Sequence, residues 1–202
     1  MIKLIAFLGN PGQKYKNNRH NAGQLLAQSM PFYPLLSWQK KHKGLYTYYE
    51  GSHLIIPESY MNNSGVSIQT AASFYKIPVE EILIVHDELE LPLGCLSLKF
   101  SGGLGGHNGL RSIRECFGSV DFWRLRIGIG RPDSEFSSVY DWVLSDFSKT
   151  EEELLNAALK TGVELLQQVL TMEPDSLLKE WTKKKIKLPE HHEEKGDDGD
   201  NK

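Results

Sequence analysis

Two hydrophobic patterns alternate along the chain. Short continuous runs rich in Ile, Leu and Val end at Gly, Pro or a polar residue, and they lie at residues 2–8, 54–56 and 82–85. Such runs are typical of strands that are buried on both faces of a mostly parallel sheet. Three further segments alternate apolar with polar positions, which predicts flanking strands, and they lie at residues 45–50, 95–100 and 123–129.

Apolar residues at helical spacing occur between these predicted strands, at residues 20–30, 64–76 and 108–116. The alternation of strands and helices predicts an α/β fold, a three-layer sandwich in which a mixed, mostly parallel sheet is flanked by helices. We therefore expect a single domain over residues 1–182.

The C-terminal part of that domain, residues 148–182, is predicted to be helical. Thr150 and Glu153 have the spacing of a capping box, and apolar residues follow at helical intervals. Pro174 is predicted to begin a second helix that ends at Trp181. These helices either pack on the domain or serve as a lid over a cleft.

Composition narrows the class of protein. The 202 residues are 40% hydrophobic and 24% charged, which is ordinary for a globular chain. No stretch approaches the roughly 18–20 apolar residues of a membrane span. The two cysteines are too few for a disulfide framework, so we expect a reducing, cytoplasmic location. Residues 187–202 carry six acidic residues and no core-forming pattern, which predicts a disordered charged tail.

The net charge of −3 is unevenly distributed. The acidic tail accounts for it, and the rest of the chain is nearly neutral. Residues 111–131 hold five arginines. These arginines form either a basic patch for a polyanion or the solvated side of a helix and a strand.

Polar side chains follow the three buried strands at the points where the strands end. Asn10 follows the first strand, Asn62 comes shortly after the second, and Asp87 comes shortly after the third. Ligands bind beyond the carboxyl ends of the strands in open α/β sheets, so we expect these residues to converge on one rim. Two loops are predicted to join the rim, one containing His20 and the other, residues 102–109, containing glycines, His107 and Asn108.

Each residue of the rim also has a structural interpretation. Asn10 before Pro-Gly suits a turn, as Asp87 does, and Asn62 or Asn108 suits a helix cap. His20 suits a helix start. His86 is interpreted as structural because strand alternation turns it away from the face of Asp87. The role of His107 stays open.

The sequence lacks the motifs that several kinds of catalytic or binding site require. The chain has no His-Glu-x-x-His and no Cys/His pairing for a metal, and its glycine run lacks the Lys-Ser/Thr of a phosphate-binding loop. Asn63-Ser64-Gly65 is not a serine elbow. What remains is a histidine base that is oriented by a carboxylate and acts on water. With asparagine amides as donors to a developing oxyanion, this combination suits hydrolysis of an ester.

Five motifs occur between about residues 3 and 145. They are Gly9-Asn10-Pro11-Gly12-x-x-Tyr15-x-x-x-Arg19-His20-Asn21-x-Gly23, Tyr60-Met61-Asn62-x-Ser64-Gly65, His86-Asp87-Glu88-Leu89-x-Leu91-Pro92, Gly105-Gly106-His107-Asn108-Gly109-Leu110 and Arg124-Leu125-Arg126-Ile127-Gly128-Ile129-Gly130. In this order they resemble the motifs of bacterial peptidyl-tRNA hydrolases. Leu104 departs from the family pattern, since many relatives have a histidine there.

The resemblance implies a monomeric esterase that needs no metal or cofactor. Its substrate would be peptidyl-tRNA, cut at the ester between the peptide, or an N-blocked amino acid, and the 3′ ribose. The resemblance assigns His20 as the base that activates water and Asp87 as its orienting partner. It assigns Asn10 to the discrimination of N-blocked from free aminoacyl-tRNA.

The resemblance also implies a set of substrate-binding residues. Asn62 and Asn108 would hold the peptidyl end and the 3′ terminus, Tyr15 and Tyr60 would line that site, and Lys99 and Arg126 would clamp phosphate. Two alternatives are an RNA-binding protein that has lost catalysis and an esterase for small acyl substrates. The pairing of His20 with Asp87 disfavours the first alternative, and the two basic residues disfavour the second.

Overall fold

The structure, a computed structural model, describes residues 1–132 and 138–186. The strands are β1 Leu4–Phe7, β2 Gln39–Lys41, β3 Gly44–Tyr49, β4 Ser52–Pro57, β5 Ile82–Glu88, β6 Cys95–Phe100, β7 Trp123–Gly128 and β8 Lys184–Lys185. The α-helices are α1 Ala22–Ser29, α2 Ser64–Tyr75, α3 Asn108–Phe117, α4 Val139–Val143, α5 Lys149–Thr171 and α6 Pro174–Trp181. The predicted tail, residues 187–202, lies outside the described residues.

The strands form one sheet in the order β2-β3-β4-β1-β5-β7-β6-β8. The central strands β4, β1, β5 and β7 are parallel, and antiparallel strands flank them on both sides. The predicted α/β fold with a mixed sheet is therefore confirmed, and its parallel part is the four central strands. β1 is apolar and buried at every position because it lies between two parallel neighbours under both helix layers.

Helices cover both faces of the sheet and complete three layers. Alternate residues of β1 supply the two cores, Ile5 to one face and Ala6 to the other. α1, α5 and α6 pack on the first face, where Leu26 and Leu166 are fully buried. α2 and α3 pack on the second face, where Ile113 is fully buried.

The C-terminal helices belong to the first of these layers. α5 begins after Ser148, and the Glu151 carboxylate accepts hydrogen bonds from the Ser148 N–H and hydroxyl, each 2.8 Å long. The prediction that Thr150 and Glu153 form the capping box is wrong, because Ser148 has the extended backbone of an N-cap and Thr150 already lies in the helix. α6 spans Pro174–Trp181 as predicted. None of the described helices is long and apolar enough to cross a membrane.

α2 and α3 approach each other closely at Gly65. A Cβ atom there would lie 2.3 Å from the main-chain oxygen of Ser112, and the Gly65 N–H donates to the Ser112 hydroxyl at 3.0 Å. Only glycine permits this contact. The contact holds the N-terminal halves of both helices together, and the residues that precede these helices include Asn62 and His107.

We predict that Gly65→Ala lowers the free energy of unfolding by about 3 kcal/mol, because the clashing atom is main chain and cannot rotate away. Denaturant unfolding followed by tryptophan fluorescence measures this change. Gly103→Ala is the matched control, since a Cβ at Gly103 meets no atom within 4 Å. The control should change stability by less than about 0.5 kcal/mol. Equal losses in the two variants would contradict the prediction.

Candidate active site

The rim predicted from the sequence forms where β4, β1 and β5 end side by side. An open cavity of about 510 Å³ lies at this edge of the sheet. Predicted site residues that line it are Asn10, Tyr15, His20, Tyr60, Asn62 and Asn108. Asp87 lines an adjoining cavity of about 350 Å³, which Asn108 also borders. The structure therefore brings together the predicted base, its carboxylate and the three asparagines.

His20 lies in a short 3-10 turn, Arg19–Asn21, that leads into α1. The turn is held close to the strand ends because Gly23 contacts main chain, where a Cβ would lie 2.4 Å from the carbonyl oxygen of Val85. His20 does not cap α1, since Asn21 occupies the N-cap position, but it is buried at the start of this helix.

The His20 imidazole is paired with the buried carboxylate of Asp87. Its Nδ1 atom lies 2.9 Å from Oδ1 and 3.0 Å from Oδ2. An ionised carboxylate only accepts hydrogen bonds, so Nδ1 carries the proton and Nε2 is left unprotonated in the neutral ring. Burial of the ring opposes protonation, but the charge and hydrogen bond of Asp87 outweigh burial and raise the pKa of His20 above 6.5.

His107 is a second histidine bonded to the same carboxylate. It is the N-cap of α3, where its Nδ1 atom accepts the N–H groups of Gly109 and Leu110 at 3.1 and 3.3 Å. Nδ1 is therefore unprotonated, and Nε2 donates its hydrogen to Asp87 Oδ1 at 2.9 Å. Burial alone would raise the pKa of Asp87, but the charges and hydrogen bonds of His20 and His107 hold it well below 3.8.

The sequence left the role of His107 open, although its position before Asn108-Gly-Leu matches a helix start. The alternative that Asn108 caps this helix is wrong, because Asn108 is already the first residue of α3. Asn62 is not a cap either, since the N-cap of α2 is Asn63.

The same three side chains are the group that a metal ion could use. The ligand atoms of His20, Asp87 and His107 lie within 4.8 Å of one another. A metal-binding histidine donates its other ring N–H to a second partner. His107 has the opposite arrangement, because its Nδ1 accepts two main-chain hydrogen bonds and its Nε2 must carry the proton. The tautomer suits a hydrogen-bond donor to Asp87 and does not suit a metal ligand.

Asn10 is oriented by three hydrogen bonds that involve main-chain groups. Its side-chain oxygen accepts the N–H of Met61 at 2.8 Å. Its own N–H donates to the Asn21 side-chain oxygen at 2.8 Å, and the Asn21 amide donates to the Asn10 carbonyl at 2.9 Å. Because the Asn10 oxygen is committed to Met61, its NH₂ group is the part of the amide available in the cavity. Asn21, which supports this arrangement, was not among the predicted site residues.

The remaining predicted lining residues are more accessible. Asn62 and Asn108 are exposed at the starts of α2 and α3. The rings of Tyr15 and Tyr60 meet edge to face with their centroids 6.3 Å apart. Together they form an aromatic wall beside the amides.

Lys99 and Arg126 lie apart from the rim, on β6 and β7. Arg126 pairs in register with Ser97, so Lys99, two positions along β6, is its diagonal neighbour on the same face. The Arg126 guanidinium donates to the Ser97 hydroxyl at 2.8 Å and lies 3.5 Å from the Glu88 carboxylate. Glu88 also lines the smaller cavity, which connects these basic residues to the edge of the site.

The five arginines of residues 111–131 do not form one patch. Arg124 is buried, and its guanidinium donates to the carbonyls of Gly103 and Gly102 at 2.6 and 2.7 Å. Burial and the nearby Arg126 lower the pKa of Arg124 to about 10. Arg131 pairs with Glu90. Arg124 therefore fixes the glycine loop that precedes His107, a role that the sequence did not indicate.

Arg19 connects the His20 turn to the segment that walls the cavity. Its guanidinium donates to Glu151 at 2.8 Å and lies 3.7 Å from the centre of the Trp142 ring. Its main-chain N–H donates to the carbonyl of Ser145 at 3.0 Å. Trp142 belongs to α4, and Val143 of the same helix lines both cavities. Arg19, which is next to His20 in the sequence, therefore helps to fix the position of α4, the helix that lines the cavities.

A histidine held by a buried aspartate, next to a polar cavity at the carboxyl edge of an α/β sheet, defines an enzyme of the acid–base class. The family model for peptidyl-tRNA hydrolase matches residues 4–189. The chain therefore belongs to the peptidyl-tRNA hydrolase family.

Individual relatives agree with this assignment. Peptidyl-tRNA hydrolase of Treponema pallidum is 44% identical over 195 residues, which cover 92% of this chain and 96% of the relative. The protein of the same name from Carboxydothermus hydrogenoformans is 42% identical, with 83% and 91% covered. A crystal structure of peptidyl-tRNA hydrolase from Acinetobacter baumannii is similar with a TM-score of 0.79 and 35% identity, covering 88% of this chain and 93% of that one.

We predict that Asp87→Asn lowers the pKa of His20, because the charge that raises it is removed while burial of the ring still opposes protonation. An NMR titration of the His20 ring measures this pKa. A base must be unprotonated, so activity of the unaltered enzyme rises with pH through the raised pKa. The acid limb of kcat/KM should move to lower pH in Asp87→Asn. Asp121→Asn, a change at an exposed residue, is the control, and a His20 pKa that is equal in all three proteins would refute the coupling.

Proposed function

We propose that this protein hydrolyses the ester bond between the peptide, or an N-blocked amino acid, and the 3′ ribose of peptidyl-tRNA. The observation that carries the proposal is the His20–Asp87 pair beside a cavity lined by asparagine amides, in a chain of this family. The products are free tRNA and a peptide with a free carboxyl group. Every residue of the proposed site comes from one chain, so we expect a monomer to be active.

In the proposed mechanism, His20 acts first as a base and then as an acid. Its unprotonated Nε2 takes a proton from water, and the oxygen of that water forms a bond to the ester carbonyl carbon. The tetrahedral intermediate then collapses, the bond to the ribose 3′ oxygen breaks, and His20 returns the proton to that oxygen. General acid–base catalysis of this kind contributes roughly 10²–10⁴-fold.

Asp87 and His107 prepare the imidazole for this role. Asp87 fixes the tautomer that leaves Nε2 unprotonated and stabilises the imidazolium that forms during the reaction. His107 does not reach the reacting atoms in this mechanism. It holds the Asp87 carboxylate from the start of α3 and so acts as a positioning residue.

Asparagine amides supply neutral hydrogen bonds to the substrate. We assign the NH₂ group of Asn10 to a main-chain carbonyl of the peptide, since its oxygen is already bonded to Met61. Asn62 and Asn108 are assigned to the peptidyl end and the 3′ terminus. Amides that bind main chain do not depend on the side chains of the peptide, so the enzyme should accept varied sequences.

The Asn10 amide gives a physical reason for discrimination between substrates. A peptidyl or N-acetyl group offers an additional carbonyl to this donor, whereas a free aminoacyl group offers an ammonium and leaves the donor unpaired. An unsatisfied buried donor costs about 1–3 kcal/mol, and a site built around such a bond rejects analogues that lack it.

We assign Lys99 and Arg126 to the phosphates of the tRNA. Both residues lie on the same face of the sheet, because Arg126 pairs with Ser97 and Lys99 is two positions further along the same strand. Contacts to phosphate position a nucleic acid without reading its sequence, and they weaken as salt rises.

The direct test compares N-acetyl-aminoacyl-tRNA with unacetylated aminoacyl-tRNA, using enzyme that has first been treated with a chelator. We predict rapid release of tRNA from the acetylated substrate only. His20→Ala should lower kcat by at least about 10²-fold while tRNA affinity stays within a factor of two.

The other outcomes separate the alternatives. Binding of tRNA without hydrolysis by the unaltered protein would indicate an RNA-binding protein that has lost catalysis. Loss of activity after chelation would contradict a mechanism without a metal. Full activity of His20→Ala would remove this histidine from the reaction.

We predict that Asn10→Asp reverses part of the discrimination. The carboxylate still accepts the Met61 N–H, but it replaces the free NH₂ donor with a charged acceptor that favours an ammonium. The ratio of kcat/KM for acetylated over free aminoacyl-tRNA should fall by about tenfold or more. Asn63→Asp, at the cap of α2, is the control. An unchanged ratio in Asn10→Asp would reject the assignment of this amide.

A further inference from the structure

Within residues 1–132 and 138–186, no helix packs on the second face of the sheet beyond β5. α2 and α3 pack over β4, β1 and β5, whereas α5 and α6 contact β6 and β7 from the opposite side. On this part of the second face, called the free face because no described helix packs on it, β7 and β6 present Arg124, Arg126, Cys95, Ser97 and Lys99. Arg124, Cys95 and Ser97 are buried, whereas Arg126 and Lys99 are partly exposed to solvent.

The edge strand β8 continues this face. Lys185 pairs in register with Cys95, and Lys184 pairs with Leu96. Residues directly opposite in an antiparallel pair point to the same side of the sheet, and alternation along β6 puts Cys95 on the side of Ser97 and Lys99. Lys185 therefore lies on the free face, where it is exposed to solvent.

The neighbouring lysine points the other way. Leu96 belongs to the core under α5, so Lys184, its partner, lies on that side. The Lys184 ammonium is 2.9 Å from the Glu180 carboxylate and 5.1 Å from the centre of the Trp181 ring, both on α6. Two consecutive lysines thus have opposite orientations, and one of them is engaged with α6.

Lys185 is within reach of the proposed tRNA clamp. β8 is two strands away from β7, and strands lie about 4.8 Å apart, so the main chain of Lys185 is on the order of 10 Å from that of Arg126. Lys99 lies on the strand between them. Of the acidic side chains, Glu88 contacts this group, and it is paired with Arg126.

We propose that Lys185 extends the phosphate-binding face of Lys99 and Arg126 and binds the phosphate backbone of the tRNA substrate. The proposal rests on the proposed function for the identity of the polyanion. Arg126, Lys99 and Lys185 are partly or fully exposed cations on one side of the sheet, and such a group complements a phosphate backbone and recognises it by charge alone. The contact is expected to increase affinity and to leave the chemistry at His20 unchanged.

The experiment uses the full chain in every variant, so that the acidic C-terminal residues are constant. The affinity for deacylated tRNA is measured for the unaltered protein, Lys185→Gln and Lys184→Gln. The KCl concentration is varied from about 50 to about 300 mM, so that the effect of counterion release on affinity can be followed. Lys184→Gln is the matched control, because it removes the same charge one position away on the opposite side of the sheet.

Lys185→Gln should weaken tRNA binding by roughly fivefold at low salt and reduce the slope of log affinity against log salt by about one. Its kcat on N-acetyl-aminoacyl-tRNA should stay within a factor of two. Lys184→Gln should change neither the affinity nor the slope. A slope for Lys185→Gln equal to that of the unaltered protein would overturn the proposal, as would equal effects of the two variants.

Failure of the proposed function gives a different result. In that case the unaltered protein does not hydrolyse N-acetyl-aminoacyl-tRNA at all, whatever the slopes are. Lys99→Gln serves as the reference for the clamp. If Lys185→Gln lowers the slope as Lys99→Gln does, Lys185 belongs to the same face, and if only Lys99→Gln lowers it, the face ends at β6.

Discussion

A single buried carboxylate, accepting hydrogen bonds from two imidazoles, holds the site together. An unpaired carboxylate in the position of Asp87 would be strongly destabilising, and the ring N–H groups of His20 and His107 remove that penalty. The same hydrogen bonds fix each imidazole ring in one tautomer. The two donors come from the turn before α1 and from the N-cap of α3, so the arrangement exists only when both helix starts are packed against the end of β5.

Close main-chain contacts make this convergence possible. Gly23 lets the start of α1 rest on the carbonyl of Val85, and Gly65 lets α2 rest on Ser112 of α3. Main chain does not change rotamer, so the helix starts are positioned more tightly than side-chain packing alone would allow. The amide of Asn10 is fixed in the same way, since its side-chain oxygen accepts the main-chain N–H of Met61. The cavity is consequently lined by polar groups whose directions are set before a substrate binds.

The sequence predicts those features that have a local signal. Buried strands are continuous apolar runs, and the polar residues at their ends must share a rim because parallel strands end together. The contact of His107 with Asp87 has no such signal, because it depends on a helix start meeting a distant strand. Arg124 looks like any strand arginine until the glycine loop folds over it. The strand β8 lacks a hydrophobic pattern, since lysines form it and pairing with β6 alone defines it.

The placement of the cations follows from the electrostatics of the base. Arg126 pairs in register with His86, and Asp87 pairs with Ile127, so strand alternation turns the guanidinium to the opposite face from the Asp87 carboxylate. A guanidinium on the same face would compete with His20 for Asp87 and would lower the pKa of the imidazole. Glu88 and Ser97 engage the guanidinium instead. In the proposed function, phosphates need positive charge and the base needs a negative neighbour, and these two groups are placed on opposite sides of the same strands.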